Sequence, residues 1–190
     1  MTTSHFFFRL LRRLVGREDY LLAYGAGQRV LHVGCVDFST TGDLHLADAQ
    51  TLELPGVAPF DVIVAVELIE YLPSPGAFLT AARPLLKPAG LLLVTTTNAY
   101  CRCRLLRVAP GVESVHEDHV AYYSHRTLTR LAELSGFAVV EQLNYRLPNR
   151  RPLLRYPAQA PACTFSANLG EGIFAALRLP ATPPPPAPCG

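Results

Sequence analysis

Short, nearly continuous apolar runs alternate along the chain with stretches of helical periodicity. The clearest apolar runs are residues 29–34 (RVLHVG), 61–66 (DVIVAV) and 91–97 (LLLVTTT). Short apolar runs bounded by Gly or Pro are typical of strands buried on both faces of a parallel sheet. The pattern therefore predicts an α/β domain.

A first helix is predicted between the second and third apolar runs. Ser74 and Pro75 suit the N-cap and the first helical position, and apolar residues at helical spacing follow them. The sequence KPAG at 87–90 is expected to end the helix. Residues 60–97 therefore read as one β-α-β unit, with two parallel strands joined by a right-handed crossover.

A second helix is predicted after an irregular stretch. Ser124 can cap it, Leu128 and Leu131 lie on its apolar face, and Gly136 can end it. Strands are expected at 137–143 and at 172–179.

The two ends of the chain differ from the predicted domain at 28–179. Residues 1–27 carry leucines at helical spacing between arginines, which predicts an amphipathic helix. Such a helix can lie on a membrane surface, but packing on the domain is favoured. Residues 180–190 (PATPPPPAPCG) predict a disordered or polyproline-II tail.

Charge and composition narrow the choice of partners and compartment. The formal net charge of +2, from 17 basic and 15 acidic residues, does not indicate a nucleic-acid partner. Because no apolar run is long enough to span a bilayer, we expect no transmembrane segment and a cytoplasmic protein. The five cysteines include no C-x-x-C pair, which predicts free thiols and no metal site.

Four segments in order resemble class I S-adenosylmethionine-dependent methyltransferases. They are RVLHVGC at 29–35, FDVIVAVELIEYL at 60–72, LLKPAGLLLVTTTNAY at 85–100 and HEDHVAYYSHRTLTRLAELSGFAVVE at 116–141. The resemblance implies a doubly wound, Rossmann-like sheet, mostly parallel, with an antiparallel last strand at 172–179. It also implies a cofactor, S-adenosylmethionine, at the carboxyl ends of the strands.

The glycine turn after the first strand departs from the family. Most relatives have G-x-G-x-G, whereas this chain reads GCVDF at 34–38 and keeps one glycine. Either the loop follows a different path or the cofactor site is defective. The resemblance assigns cofactor contacts to seven residues: Gly34, Cys35, Asp37, Asp48, Ala49, Glu67 and Leu68.

A second departure concerns the length of the first crossover. Residues 44–49 (LHLADA) resemble the third strand and the acidic residue beside the adenine, although Asp48 can also be a turn residue. Only residues 35–43 remain before this strand, and a parallel crossover needs about a dozen residues. We therefore expect the first β-α crossover to be shortened or missing, with no counterpart of the acid that binds the ribose. Another chain, the N-terminal helix or the Pro-rich tail would cover the open sheet edge.

Titratable residues on the acceptor side suggest two catalytic candidates. His119 lies in the densest titratable cluster, residues 116–119, and could deprotonate an acceptor, or the cluster could simply precede the second helix. Tyr71 replaces a histidine common in the family. Glu67 and Glu70 could form an acid-base pair, but a capping or solvent-facing role is favoured.

Two functions follow from these observations. The first is methyl transfer from S-adenosylmethionine to a small-molecule acceptor. The second is a degenerate relative that does not bind the cofactor and acts as a subunit of a homo- or hetero-oligomer, or as a cofactor-independent enzyme. The missing glycines and the short crossover favour the second, whereas the four ordered segments favour the first.

Overall fold

A computed structural model describes residues 28–33, 44–47, 52, 58–101, 104–105, 111, 116–145 and 170–180. Within these residues the chain forms one six-stranded sheet of order β2-β1-β3-β4-β6-β5. The strands are β1 (Val30–Val33), β2 (Leu44–Ala47), β3 (Phe60–Val66), β4 (Leu86–Thr97), β5 (Ala138–Tyr145) and β6 (Gly172–Arg178). The helices are α1 (Pro75–Ala82), followed by a 3-10 turn at Arg83–Leu85, and α2 (His125–Leu134).

The sheet is parallel through its first four strands. β1 pairs in parallel with β2 on one side and with β3 on the other, and β3 pairs in parallel with β4. β6 is antiparallel to both β4 and β5. This confirms the predicted Rossmann-like sheet with an antiparallel last strand.

The β-α-β unit at 60–97 is confirmed, but β4 begins earlier than predicted. α1 has Ser74 as N-cap and Pro75 in its first turn. The KPAG segment is extended and belongs to β4, where the register shifts between Phe60 and Val62. Lys87 Nζ lies 2.8 Å from each carboxylate oxygen of Asp61, which ties this segment to β3.

α2 has the boundaries that its sequence predicts. The Ser124 side chain accepts a hydrogen bond from the Thr127 amide, and the Thr127 side chain accepts one from the Ser124 amide. This reciprocal capping box satisfies two amides at the helix N-terminus. Gly136 follows the helix with φ +80, a conformation that favours glycine.

Each face of the sheet carries a buried apolar cluster. Leu79 and Phe78 of α1 and Leu128 and Ala132 of α2 pack on the face that carries Ile63. The opposite face forms a second cluster, made of Val30, Val62, Val64, Val66, Leu93, Tyr145, Phe174 and Ala176. Burial on both faces explains why these strands read as continuous apolar runs.

β2 lies directly beside β1, in register from Val30↔Leu44 to Val33↔Ala47. Only residues 34–43 connect the two strands, so the predicted shortening of the first crossover is confirmed. The interpretation of residues 44–49 as a third strand is wrong, because β2 pairs directly with β1 and no described strand lies between them. Residues 1–27 and the tail from 181 onward, which the sequence offers as covers for the sheet edge, lie outside the described residues.

The structure also bears on the cysteines and on the expected lack of a transmembrane segment. Cys101 is disulfide-bonded, so the prediction that every cysteine is a free thiol is wrong at this residue. No helix within the described ranges combines the length and apolar character needed to cross a bilayer.

Candidate functional site

The strand order reverses between β1 and β3, and a crevice for a ligand is expected at the carboxyl ends of these two strands. From β1 the chain adds β2 on one side and β3 on the other. In open α/β sheets the crevice outside the carboxyl ends of two such strands is the usual ligand site. Glu67 and Leu68 directly follow β3 and lie at this crevice.

Five of the sequence-predicted cofactor residues lie outside the described residues. Gly34, Cys35 and Asp37 follow β1 in the sequence, and Asp48 and Ala49 follow β2. Of the predicted cofactor residues, the structure therefore describes Glu67 and Leu68.

The backbone at Glu67 is held in an unusual conformation. Its φ is +46, a region that residues with a Cβ adopt infrequently. The Glu67 amide donates to the Thr95 carbonyl and to the Thr95 hydroxyl, both at 3.0 Å. These two bonds fix the turn after β3 against β4.

Tyr145 belongs to β5, the strand at one edge of the sheet, and its side chain reaches that of Glu67. Its hydroxyl donates to Glu67 Oε1, although β6 and β4 lie between their strands. The tyrosine is 2 % exposed, and its backbone register partner is Gly172. A Cβ at Gly172 would overlap the ring of Tyr145 and its hydroxyl, so glycine at this position lets the ring cross β6.

Glu70 is fully buried, so the expected solvent-facing role is wrong for this residue. Its carboxyl accepts from the Thr96 hydroxyl at 2.9 Å and from the Thr97 amide at 3.3 Å. It also hydrogen bonds with the side chain of Glu67. Burial raises the pKa of Glu70 above its usual range, since the charged form loses hydration.

A hydrogen bond between two carboxyl groups requires a proton on one of them. Glu70 is the better candidate to hold this proton, because it is fully buried and its pKa is raised. Glu67 is partly exposed and accepts a hydrogen bond from the Tyr145 hydroxyl. A pair of carboxyl groups that shares one proton carries one negative charge.

The two catalytic candidates contact each other beside this pair. The rings of Tyr71 and His119 are 4.5 Å apart, edge to face, and His116 lies 5.8 Å from Tyr71. The Val120 amide donates to the Glu70 carbonyl at 2.8 Å, which fixes the His119 segment next to β3. Burial raises the pKa of Tyr71, so this phenol stays protonated near neutral pH.

Two further groups extend the same aromatic cluster. Tyr122 lies 6.3 Å from His119, and the Arg104 guanidinium stacks 4.7 Å from the centre of the Tyr122 ring. Across the described part of the chain, no set of three or more His, Cys, Asp and Glu side chains is placed to hold a metal ion.

Sequence reasoning missed Tyr145 and Gly172. The signal available was a glycine at the start of the last strand, where a β-branched residue is more usual. Without the pairing of β5 with β6, nothing in the sequence connects that glycine to Tyr145 or to Glu67.

Comparisons with known proteins agree with the fold. Residues 5–142 match the family described as "Methyltransferase domain". A ubiquinone biosynthesis O-methyltransferase from Caulobacter vibrioides is 44% identical over 52 residues, 27% of this chain and 21% of that enzyme. Alignments with enzymes of this name span from 21% to 67% of their length.

Two solved structures share the fold at low identity. An S-adenosylmethionine-dependent methyltransferase from Thermotoga maritima aligns over 92% of this chain and 94% of its own, with 15% identity and a TM-score of 0.56. A structure of a complex between the Haloferax volcanii Trm112 methyltransferase activator and a methyltransferase aligns over 86% of this chain and 88% of the matched chain, with 15% identity and a TM-score of 0.55. With the family match over most of the chain, the protein belongs to the class I S-adenosylmethionine-dependent methyltransferases.

Proposed function

We propose that this chain binds S-adenosylmethionine in the crevice between β1 and β3 and transfers its methyl group to a small-molecule acceptor. The observation that carries the proposal is the position of Glu67 at the carboxyl end of β3, where its carboxyl accepts from Tyr145 and its amide donates to Thr95. S-adenosylmethionine supplies a methyl group on a positively charged sulfur. A fixed carboxylate at the switch point fits such a cation better than it fits a neutral or anionic ligand.

The remaining cofactor contacts are proposed from the sequence. Gly34, Cys35 and Asp37 follow β1, where a backbone turn can approach the cofactor. Asp48 and Ala49 directly follow β2, which pairs with β1. Asp48 is therefore the first acidic residue after the carboxyl end of β2. Leu68 would supply apolar contact next to Glu67.

On the acceptor side we assign the proton transfer to His119. Methylation of a hydroxyl releases a proton, and an imidazole titrates near neutral pH. Tyr71 stays protonated and packs edge to face on His119, so its role would be to orient the imidazole. A hydroxyl acceptor is supported by the relatives, whose name states O-methylation in ubiquinone biosynthesis.

A second candidate is a subunit that does not bind the cofactor. The short connection at 34–43 and the loss of two glycines support it, and so does the structural relative in complex with an activator. In that case the β2 edge or the N-terminal segment would contact a partner chain.

Calorimetric titration separates the two candidates. The full chain is titrated with S-adenosylmethionine and with S-adenosylhomocysteine, and light scattering gives the oligomeric state of the same sample. Micromolar binding of both ligands supports methyl transfer. A folded oligomer that binds neither ligand would overturn it in favour of the subunit.

A further inference from the structure

We propose that Tyr145 is a positioning residue for Glu67, and that it holds the carboxylate where it favours the cationic cofactor over its uncharged product. The inference rests on the proposed function and extends it to the discrimination between S-adenosylmethionine and S-adenosylhomocysteine. Its geometric basis is the hydrogen bond from the Tyr145 hydroxyl to Glu67.

The path of Tyr145 across the sheet is specific. Thr97 of β4 and Tyr145 of β5 are both register partners of Gly172, so the three residues lie in one row across the sheet. The ring occupies the space that a side chain at Gly172 would take. The ring is therefore fixed by packing, and its hydroxyl can hold Glu67 in one orientation.

Two further contacts restrict Glu67 to this orientation. Its amide is bound twice by Thr95, so the backbone cannot turn the side chain away. Its carboxyl also bonds with Glu70, which is held in turn by Thr96. The Tyr145 hydroxyl donates to Glu67 without adding a formal charge to the site.

The charge on Glu67 distinguishes the two ligands because they differ by one methyl group and one positive charge. Contacts to the adenosine and amino-acid parts are common to both. A general distortion of the site would weaken both ligands alike, whereas a misplaced carboxylate weakens the cation selectively. The ratio of the two dissociation constants therefore reports the position of Glu67 separately from the integrity of the pocket.

The test is calorimetry on the full chain with both ligands, comparing wild type with Tyr145→Phe, Glu67→Gln and Tyr123→Phe. Tyr123 is a matched control: it is a buried tyrosine whose hydroxyl donates to the Ile69 carbonyl at 3.4 Å, on the other face of the sheet. We expect the preference for S-adenosylmethionine to fall roughly fivefold in Tyr145→Phe and roughly tenfold in Glu67→Gln. Tyr123→Phe should keep the wild-type ratio.

The outcomes separate this inference from the proposed function. Wild type that binds neither ligand overturns the proposed function, and the inference with it. Wild type that binds both, with an unchanged ratio in Tyr145→Phe, overturns the inference alone. If Tyr145→Phe fails to fold, Glu67→Gln decides, because an unchanged ratio there means that this carboxylate does not contribute to the preference.

Discussion

Tyr145, the last residue of β5, donates a hydrogen bond to Glu67, the first residue after β3, across the two strands that lie between them. Strands added last in the chain thus contact the carboxyl end of a strand at the centre of the sheet. The antiparallel pair β5 and β6 therefore contributes directly to the candidate cofactor crevice, and it does so through a tyrosine and a glycine.

The space that Tyr145 needs makes Gly172 sensitive to substitution. Gly172→Ala should lower the free energy of unfolding by about 1–3 kcal/mol, since the new Cβ overlaps the Tyr145 ring inside a packed core. Gly76→Ala is the matched control. Its Cβ would meet Ser135 and Leu131 at 3.7 and 3.8 Å, and alanine favours the helix by about 0.5–1 kcal/mol. Urea unfolding of both variants checks this, and equal stability of the two would contradict it.

The buried carboxyl of Glu70 should make stability depend on pH. Because its pKa is raised in the folded state, the folded protein binds more protons than the unfolded chain above the ordinary value of 4.5. Its contribution is therefore fully present below that value and is lost as pH rises through the folded pKa. Glu70→Gln should flatten this dependence in thermal unfolding measured across pH, and an unchanged profile in the variant would argue against a protonated Glu70.

The contribution of the Lys87–Asp61 ion pair to stability should depend on pH in the opposite direction, and it should be small. The hydrogen bond from Lys87 lowers the pKa of Asp61, so its stabilisation is present above the ordinary value of 3.8 and is lost as pH falls. Both side chains are partly exposed, so Lys87→Met should cost less than about 1 kcal/mol at neutral pH. Denaturation at neutral and acid pH measures the difference. A cost that grows on acidification would refute the assignment.

The two serine N-caps should differ in how much each contributes to the free energy of unfolding. Ser124→Ala removes a bonded cap from α2 and should destabilise the protein by about 1 kcal/mol. Ser74 makes no side-chain cap bond to α1, so Ser74→Ala should be nearly neutral. Chemical denaturation of the pair checks the prediction, and a larger loss at Ser74 would contradict it.

The sequence predicts much of the sheet because its core strands are buried on both faces. Runs such as DVIVAV have no polar face, and the cap residues Ser74 and Ser124 mark the two helices. The short first crossover also follows from counting residues. The pairing of β2 with β1 could not be predicted, because the short segment LHLA does not specify which strand it pairs with.

The candidate site was predictable only where it follows a strand. Glu67 could be placed at the sheet edge because β3 ends at Val66. The burial of Glu70 could not be inferred, because it depends on Thr96 of β4 and on the segment that contains Val120. Tyr145 depends on long-range pairing across Gly172, which no local pattern encodes.

We propose that S-adenosylmethionine binds at the carboxyl ends of β1 and β3, beside Glu67. The most direct test is an NMR titration of the isotopically labelled full chain, which follows assigned backbone amides as the cofactor is added. We predict that the largest shift changes occur at Val33, Glu67 and Leu68, with little change at Leu131 and Leu134 of α2. Saturating shifts confined to α2, or no shifts anywhere, would contradict the account.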